Sequence, residues 1–314
     1  MNITVWVENE IDQFCFRERH KAIFEERIDG ARVTRVKSQD DFLKHIEDAH
    51  LTLSWRFQED WLAKAPKLRL IACPAAGREG MQFDPPEGVS FHFGAYHGKI
   101  MAETCVGMIL ASCRGILDCH ATQDEKAWDR VHLSKNMTPI RGSHIAIVGF
   151  GSIGQHIARL LRPFEPRLTG FRRSKMEKPQ WLGPQDRILT MDDFDKELPH
   201  LDHLVMVVPG GEDTDNMLDR KRLARLPEHA VVYNLGRGNA IDESALAEIL
   251  NEGKIARACL DVFEQEPLPE DAPIRKAPNV LIMPHVSAVS PDYLDLCVNE
   301  LCDYVLASDL AEGA

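Results

Sequence analysis

The chain has 314 residues, enough for two domains of ordinary size. Hydrophobic residues at 44% and charged residues at 27% are the proportions of a globular protein, and a net charge of −12 argues against nucleic acid or an anionic membrane as the main partner. No apolar run reaches the roughly 18 residues that span a bilayer. The N-terminus, Met-Asn-Ile-Thr-Val-Trp-Val, enters strand-like sequence without the basic start of a signal peptide, which implies a cytoplasmic protein. Eight cysteines are scattered in apolar surroundings with no CxxC, so reduced thiols are expected and no metal site.

In chain order, residues 2–7 read as a strand, followed by a charged helical stretch with Phe16, Ile23 and Phe24 as inward positions. Strands follow at 32–36, 51–54, 68–72 and 89–92, with helical stretches at 40–49 and 58–65 between them. This alternation implies a parallel sheet and a first α/β unit of about 98 residues. Over 100–117 the apolar positions 101, 105, 108, 109, 113, 116 and 117 predict one long amphipathic helix, a connector and hinge. Residues 121–143 are polar and irregular.

Next comes His144-Ile-Ala-Ile-Val148, a buried strand, and then Gly149-Phe-Gly151-Ser152-Ile153-Gly154. Ile153, Ile157, Leu160 and Leu161 recur behind it at helical spacing. The glycines in this strand–turn–helix context fit a dinucleotide site. The first permits the turn, the second lets backbone approach a pyrophosphate, and the third lets the helix pack on the sheet. N–H groups at the helix start, around Ser152 and Ile153, suit a phosphate. Further strands are predicted at 167–171, 187–190, 203–208, 230–235, 255–262 and 279–283. Asp242 is placed to cap a helix over 243–252 that Gly253 ends. A last helix over about 291–310 is expected to fold back onto the first unit.

Ligands in such sheets bind past the carboxyl ends of the strands. After the second strand of the cofactor unit stand Arg172, Arg173, Ser174 and Lys175, with no acid between Glu165 and Glu177. An acid there would bond the ribose hydroxyls of NAD; three cations and a hydroxyl suit the 2′-phosphate of NADP. Pro209 and Thr214 follow the next strand on the same edge. Arg237, between two glycines, follows the strand after it and can bind a carboxylate or polarise a carbonyl. Glu266 and His285 follow the last two strands, and histidine is the side chain best suited to donate a proton near neutral pH. Each alone reads as an ordinary loop residue; together, beside a nucleotide turn, they suggest hydride transfer.

Three stretches carry a family likeness: Asn234-Leu-Gly-Arg-Gly-Asn-Ala-Ile-Asp-Glu-Ser-Ala-Leu246, Leu260-Asp-Val-Phe-Glu-Gln-Glu-Pro-Leu-Pro269 and Asn279-Val-Leu-Ile-Met-Pro-His-Val-Ser287. They resemble the D-isomer-specific 2-hydroxyacid dehydrogenases. The resemblance implies that Arg237 orients the substrate, Glu266 pairs with the histidine, and His285 is the general acid/base. It implies that Asp261 contacts the nicotinamide carboxamide, and that the Ala75-Ala76-Gly77 loop holds the substrate carboxylate through backbone N–H groups. Trp55 and Arg56 end a strand where family members place pocket side chains. The implied fold is α/β: a flavodoxin-like substrate domain (1–99 with 289–314) and a Rossmann domain with a doubly wound parallel sheet (100–288), with the active site in the cleft between them. A homodimer is expected.

Two departures stand out. Arg78 and Glu79 follow Gly77 where the family has Gly-x-Asp, and the acid after the second cofactor strand is absent. The second makes the chain similar to the NADP-preferring glyoxylate/hydroxypyruvate reductases. The expectation is reduction of a small 2-oxo acid with NADPH. An NAD-dependent D-2-hydroxyacid dehydrogenase and a dinucleotide-sensing corepressor of the same fold are the alternatives.

Overall fold

The structure, a computed structural model, describes residues 1–123, 128, 130–308 and 310. Part of the irregular stretch read over 121–143 (124–127 and 129) lies outside the described residues, as do 309 and 311–314 of the last segment. The chain divides into two compact units, Met1–His97 with Val289–Ala314, and Gly98–Ala288.

The first unit is built on five parallel strands: β1 (Asn2–Trp6), β2 (Arg32–Arg35), β3 (Leu51–Ser54), β4 (Leu70–Cys73) and β5 (Ser90–Phe93). They run in the order β2-β1-β3-β4-β5, the flavodoxin-like order. β3 and β4 are buried on both faces; β4 accordingly reads as an unbroken apolar run, whereas β3 alternates and buries the polar Thr52 and Ser54. Phe42, Ile46, Phe57, Trp61 and Ile71 fill one side of this sheet. Phe16 and Phe24 are buried as the sequence predicts; Ile23 is only half-buried. The last helix, Tyr293–Leu306, lies against Glu18–Arg27, where Arg27 Nη1 donates to the backbone and side-chain oxygens of Asn299, both at 3.0 Å.

The second unit holds seven parallel strands: β6 (His144–Val148), β7 (Arg167–Arg172), β8 (Arg187–Thr190), β9 (His203–Met206), β10 (Val231–Asn234), β11 (Arg257–Leu260) and β12 (Val280–Ile282). Their order is β12-β11-β10-β9-β6-β7-β8. Counted from β6 this is the doubly wound Rossmann order with a seventh strand added, and the order reverses between β6 and β9. Alternate residues of β6 feed opposite cores. Ile145 and Ile147 pack with Ile109, Ile157 and Tyr233, whereas Ala146 and Val148 pack with Phe171, Phe194 and Leu246. All twelve strands read from the sequence are present, their ends within two residues of expectation.

The helices depart more. The single helix expected over 100–117 is two, His97–Cys113 and Ile116–Ala121, parted by Gly115 at φ +65°. The first of them has the expected inward positions buried, Met101, Cys105, Met108, Ile109 and Cys113, and leaves only a narrow exposed stripe, Lys99, Glu103 and Gly107; Ile116, expected inward, is 56% exposed. Leu160, likewise expected inward, is exposed beside the buried Ile157 and Leu161. Among the described residues no helix is long and apolar enough to cross a membrane. Seven cysteines are buried and Cys119 is exposed; all are free thiols.

Candidate active site

The glycine turn joins β6 to the helix Ser152–Leu161 at the strand-order reversal. Gly149 stands at φ +96°, and a Cβ there would lie 2.5 Å from the Val207 carbonyl oxygen, so no other residue fits. A Cβ on Gly154 would strike the Gly149 oxygen at 2.5 Å, which brings the helix close against its own turn. A Cβ on Gly151 would meet nothing within 4 Å: this glycine faces open space, as a backbone that admits a pyrophosphate requires. The residues present therefore fit a dinucleotide.

At the end of β7, Arg172 is half-buried, and Arg173, Ser174 and Lys175 are exposed. Arg173 Nη1 lies 3.4 Å from Asp213 Oδ2 in the loop after β9. Pro209 and Thr214 belong to that loop. Pro209 is exposed, but Thr214 is buried and its hydroxyl lies 2.8 Å from the Pro209 carbonyl oxygen and 2.9 Å from that of Gly211. Thr214 thus fastens the turn from inside.

The three residues with acid–base or guanidinium chemistry follow β10, β11 and β12, adjacent strands of one sheet. Arg237 is carried by a loop that the Asn234 side chain braces: Asn234 Nδ2 donates to the Arg237 carbonyl at 2.9 Å, and Asn234 Oδ1 accepts from Gly236 N–H at 3.1 Å. Gly238 is required by close approach, since a Cβ there would sit 2.0 Å from the Phe263 carbonyl oxygen. Glu266 is anchored by Phe263 N–H, which donates to Oε1 at 3.0 Å. Its other oxygen, Oε2, lies 2.7 Å from His285 Nδ1. A carboxylate can only accept, so Nδ1 carries the hydrogen and Nε2 is left as the atom that gains or loses a proton.

His285 stands at φ +54°, in the left-handed region. Asp261 holds it there. This aspartate is fully buried; its backbone carbonyl accepts from His285 N–H at 2.9 Å, and its carboxylate accepts from Val286 N–H at 2.8 Å and Ser287 N–H at 3.0 Å. Thr104 adds a donor to the Ser287 carbonyl at 3.0 Å. Asn234 and Thr104 were not singled out from the sequence. An asparagine two residues ahead of a glycine at a strand end is the available signal for the first; for Thr104, 183 residues away from Ser287, there is none.

In the first unit, the chain after β4 forms the Ala75–Gly77 loop. Ala76 is exposed, and among the described residues the N–H groups of Ala76 and Gly77 have no hydrogen-bond partner. Trp55 packs against Phe14 and Tyr293 at ring-centroid distances of 5.7 and 6.2 Å. Arg56 turns away from it, lying over the Trp6 ring and donating to Gln39. Arg78 lies against Phe91 and Phe93 and donates to the Phe83 carbonyl at 3.2 Å.

A doubly wound sheet with a glycine-rich nucleotide turn, and a hydrogen-bonded His–Glu pair past its last strands, is the equipment of a dinucleotide-dependent oxidoreductase. Comparison narrows the class. Residues 106–287 match the model of the D-isomer specific 2-hydroxyacid dehydrogenase NAD binding domain, and the chain belongs to that family. It is 27% identical over 92% of its length to D-3-phosphoglycerate dehydrogenase from Methanocaldococcus jannaschii, of which it spans 56%. It is 30% identical to glyoxylate/hydroxypyruvate reductase B from Pectobacterium carotovorum, covering 75% of this chain and 74% of that protein. A crystal structure of a family member from Aeromonas salmonicida superposes with a TM-score of 0.78 at 26% identity, covering 98% and 96% of the two chains.

Proposed function

We propose that this protein reduces a small 2-oxo acid, of glyoxylate or hydroxypyruvate size, to the D-2-hydroxy acid, with NADPH as the preferred reductant. The observation that carries the reading is the His285 Nδ1–Glu266 Oε2 pair of 2.7 Å, on the same sheet edge that opens with the glycine turn. The likeness to glyoxylate/hydroxypyruvate reductase B supports the substrate class.

The turn at Gly149–Gly154 and the start of the helix behind it would hold the pyrophosphate, and Arg172, Arg173 and Ser174 the 2′-phosphate. When bound, the reduced nicotinamide supplies the hydride that reduces the carbonyl carbon. Arg237, together with the N–H groups of Ala76 and Gly77, binds the carboxylate and polarises the carbonyl. His285 Nε2 gives its proton to the carbonyl oxygen as negative charge develops there. Glu266, fixed by Phe263 N–H, holds the ring in the tautomer that leaves Nε2 free for this transfer and balances the imidazolium charge.

The test is cofactor oxidation followed at 340 nm with glyoxylate, hydroxypyruvate, pyruvate and bulkier 2-oxo acids, using NADPH and NADH in turn. Turnover of the small acids with NADPH favoured is the expected result. The Arg172→Ala/Arg173→Ala double variant should weaken NADPH far more than NADH. Equal losses with both cofactors would refute the NADPH assignment, and no turnover of any 2-oxo acid would refute the reading as a whole.

A further inference from the structure

The Ala75–Gly77 loop is rooted at Pro74, and the root is clamped by the segment directly after β5 and by the last helix. The buried Pro74 carbonyl lies 2.8 Å from Tyr96 Oη and 3.3 Å from Tyr293 Oη. Gly94, directly after β5, donates its N–H to the carbonyls on either side of Pro74, Cys73 at 3.2 Å and Ala75 at 3.1 Å. Only glycine fits at 94, because a Cβ would lie 2.4 Å from the Tyr96 ring and 2.7 Å from the Pro74 oxygen. His97 completes the group, with Nδ1 2.9 Å from the Gly94 carbonyl and Nε2 3.0 Å from Tyr293 Oη. Tyr96, His97 and Tyr293 are all 5% exposed or less.

The Gly94 carbonyl can only accept, so His97 Nδ1 carries a hydrogen; in the neutral ring Nε2 then accepts. The Tyr293 hydroxyl lies 3.0 Å from His97 Nε2 and 3.3 Å from the Pro74 carbonyl, and it also bonds the Tyr96 hydroxyl. The Pro74 carbonyl can only accept, so Tyr96 donates to it at 2.8 Å. Burial raises both phenols above their ordinary range, so neither loses its proton near neutrality. The Tyr293 ring in turn packs on Trp55, whose expected place is the substrate pocket.

We infer that Tyr96 is a positioning residue for the substrate carboxylate, aiming the Ala76 and Gly77 N–H groups through its hydrogen bond to the Pro74 carbonyl, with Tyr293 and His97 as its support. The inference rests on the reading of Ala75–Gly77 as the carboxylate loop. A tyrosine that only filled the core would contribute to stability and leave substrate affinity alone. A clamp on the loop root moves KM for the 2-oxo acid and spares the cofactor, because the interaction it aims is made with substrate and transition state alike.

Tyr96→Phe is nearly isosteric and removes the hydroxyl that donates to Pro74, together with its contacts to Tyr293 and Cys297. Its KM for the 2-oxo acid should rise about three- to tenfold, the effect of one hydrogen bond. kcat and the Kd for NADPH, measured by fluorescence, should stay within about twofold. Tyr293→Phe leaves the Pro74 bond in place and should raise KM less. Ala76→Pro, which removes one of the aimed N–H groups, tests the loop itself, with circular dichroism and NADPH binding reporting that the variant is folded. If Ala76→Pro raises KM and Tyr96→Phe does not, the clamp is overturned and the loop reading stands. If Ala76→Pro is folded with KM unchanged, the loop reading falls and the clamp with it.

Discussion

His285 sits in a backbone region that a non-glycine residue enters only at some cost, on the order of 1–3 kcal/mol. Asp261 offsets that cost with one backbone carbonyl and a carboxylate turned to the next two amides. Asp261→Asn replaces one of those oxygens with a donor that faces an N–H. The expected result is a loss of about 1–3 kcal/mol in stability and a fall in kcat of at least tenfold, with cofactor affinity less affected. Urea denaturation and steady-state kinetics check it, and an unchanged kcat would show that the His285 loop does not depend on Asp261. His285→Ala removes the proposed proton donor outright. Turnover should fall by roughly 10²–10⁴-fold while NADPH still binds. Activity near that of the parent would displace His285 from its role.

At the scale of elements, the strands were legible, and so was the long helix except for its break at Gly115. β6, β9 and β10 are buried over their whole length, and apolar runs of four or five residues between turn signals have few other readings. The stretch after His97 offered apolar residues at helical spacing, and these suggested one amphipathic rod. Its exposed face is only a narrow stripe of Lys99, Glu103 and Gly107, because neighbouring elements cover the rest, and Gly115 breaks it. Spacing reports which residues can share a face, whereas how many faces are covered depends on what packs there. The glycine turn makes the opposite case, since its requirement is local. Gly149→Ala places a Cβ against the Val207 oxygen at φ +96°. Cofactor binding should be lost or weakened at least tenfold, with Tm lowered by several degrees; titration of NADPH fluorescence and a thermal melt measure both. Wild-type affinity in that variant would mean the turn is not the nucleotide cradle.

For the whole molecule, two buried histidines couple both units to pH. Burial pushes His20 in the first unit and His203 in the second each down to about 4. Unfolded histidine titrates near 6.5. Between those values the unfolded chain holds more protons than the folded one, so stability is full above about 6.5 and is lost as pH falls toward 4. Denaturant unfolding at pH 7 and pH 5 should differ by a few kcal/mol, with the more acidic condition the weaker. His203→Asn should flatten part of that slope. Equal stability at both pH values would contradict the burial of the two rings.

The sequence by itself determined the strands, the glycine turn, and the placing of Arg237, Glu266 and His285 at adjacent strand ends. Each of these is set by local rules: period and length for a strand, φ and close approach for a glycine, residue type for a proton donor. Only the tertiary structure decided what holds those residues in place. That Asp261 is committed to the amides after His285, that Asn234 braces Arg237, and that Thr214 fastens its turn from inside are facts of packing. The clamp on Pro74 is the clearest instance, since it joins residues 22 and 219 positions apart in the chain. No spacing encodes such a contact. It exists because the strand order brings β4 beside β5 and the last helix returns to the first unit, and both are properties of the folded chain alone.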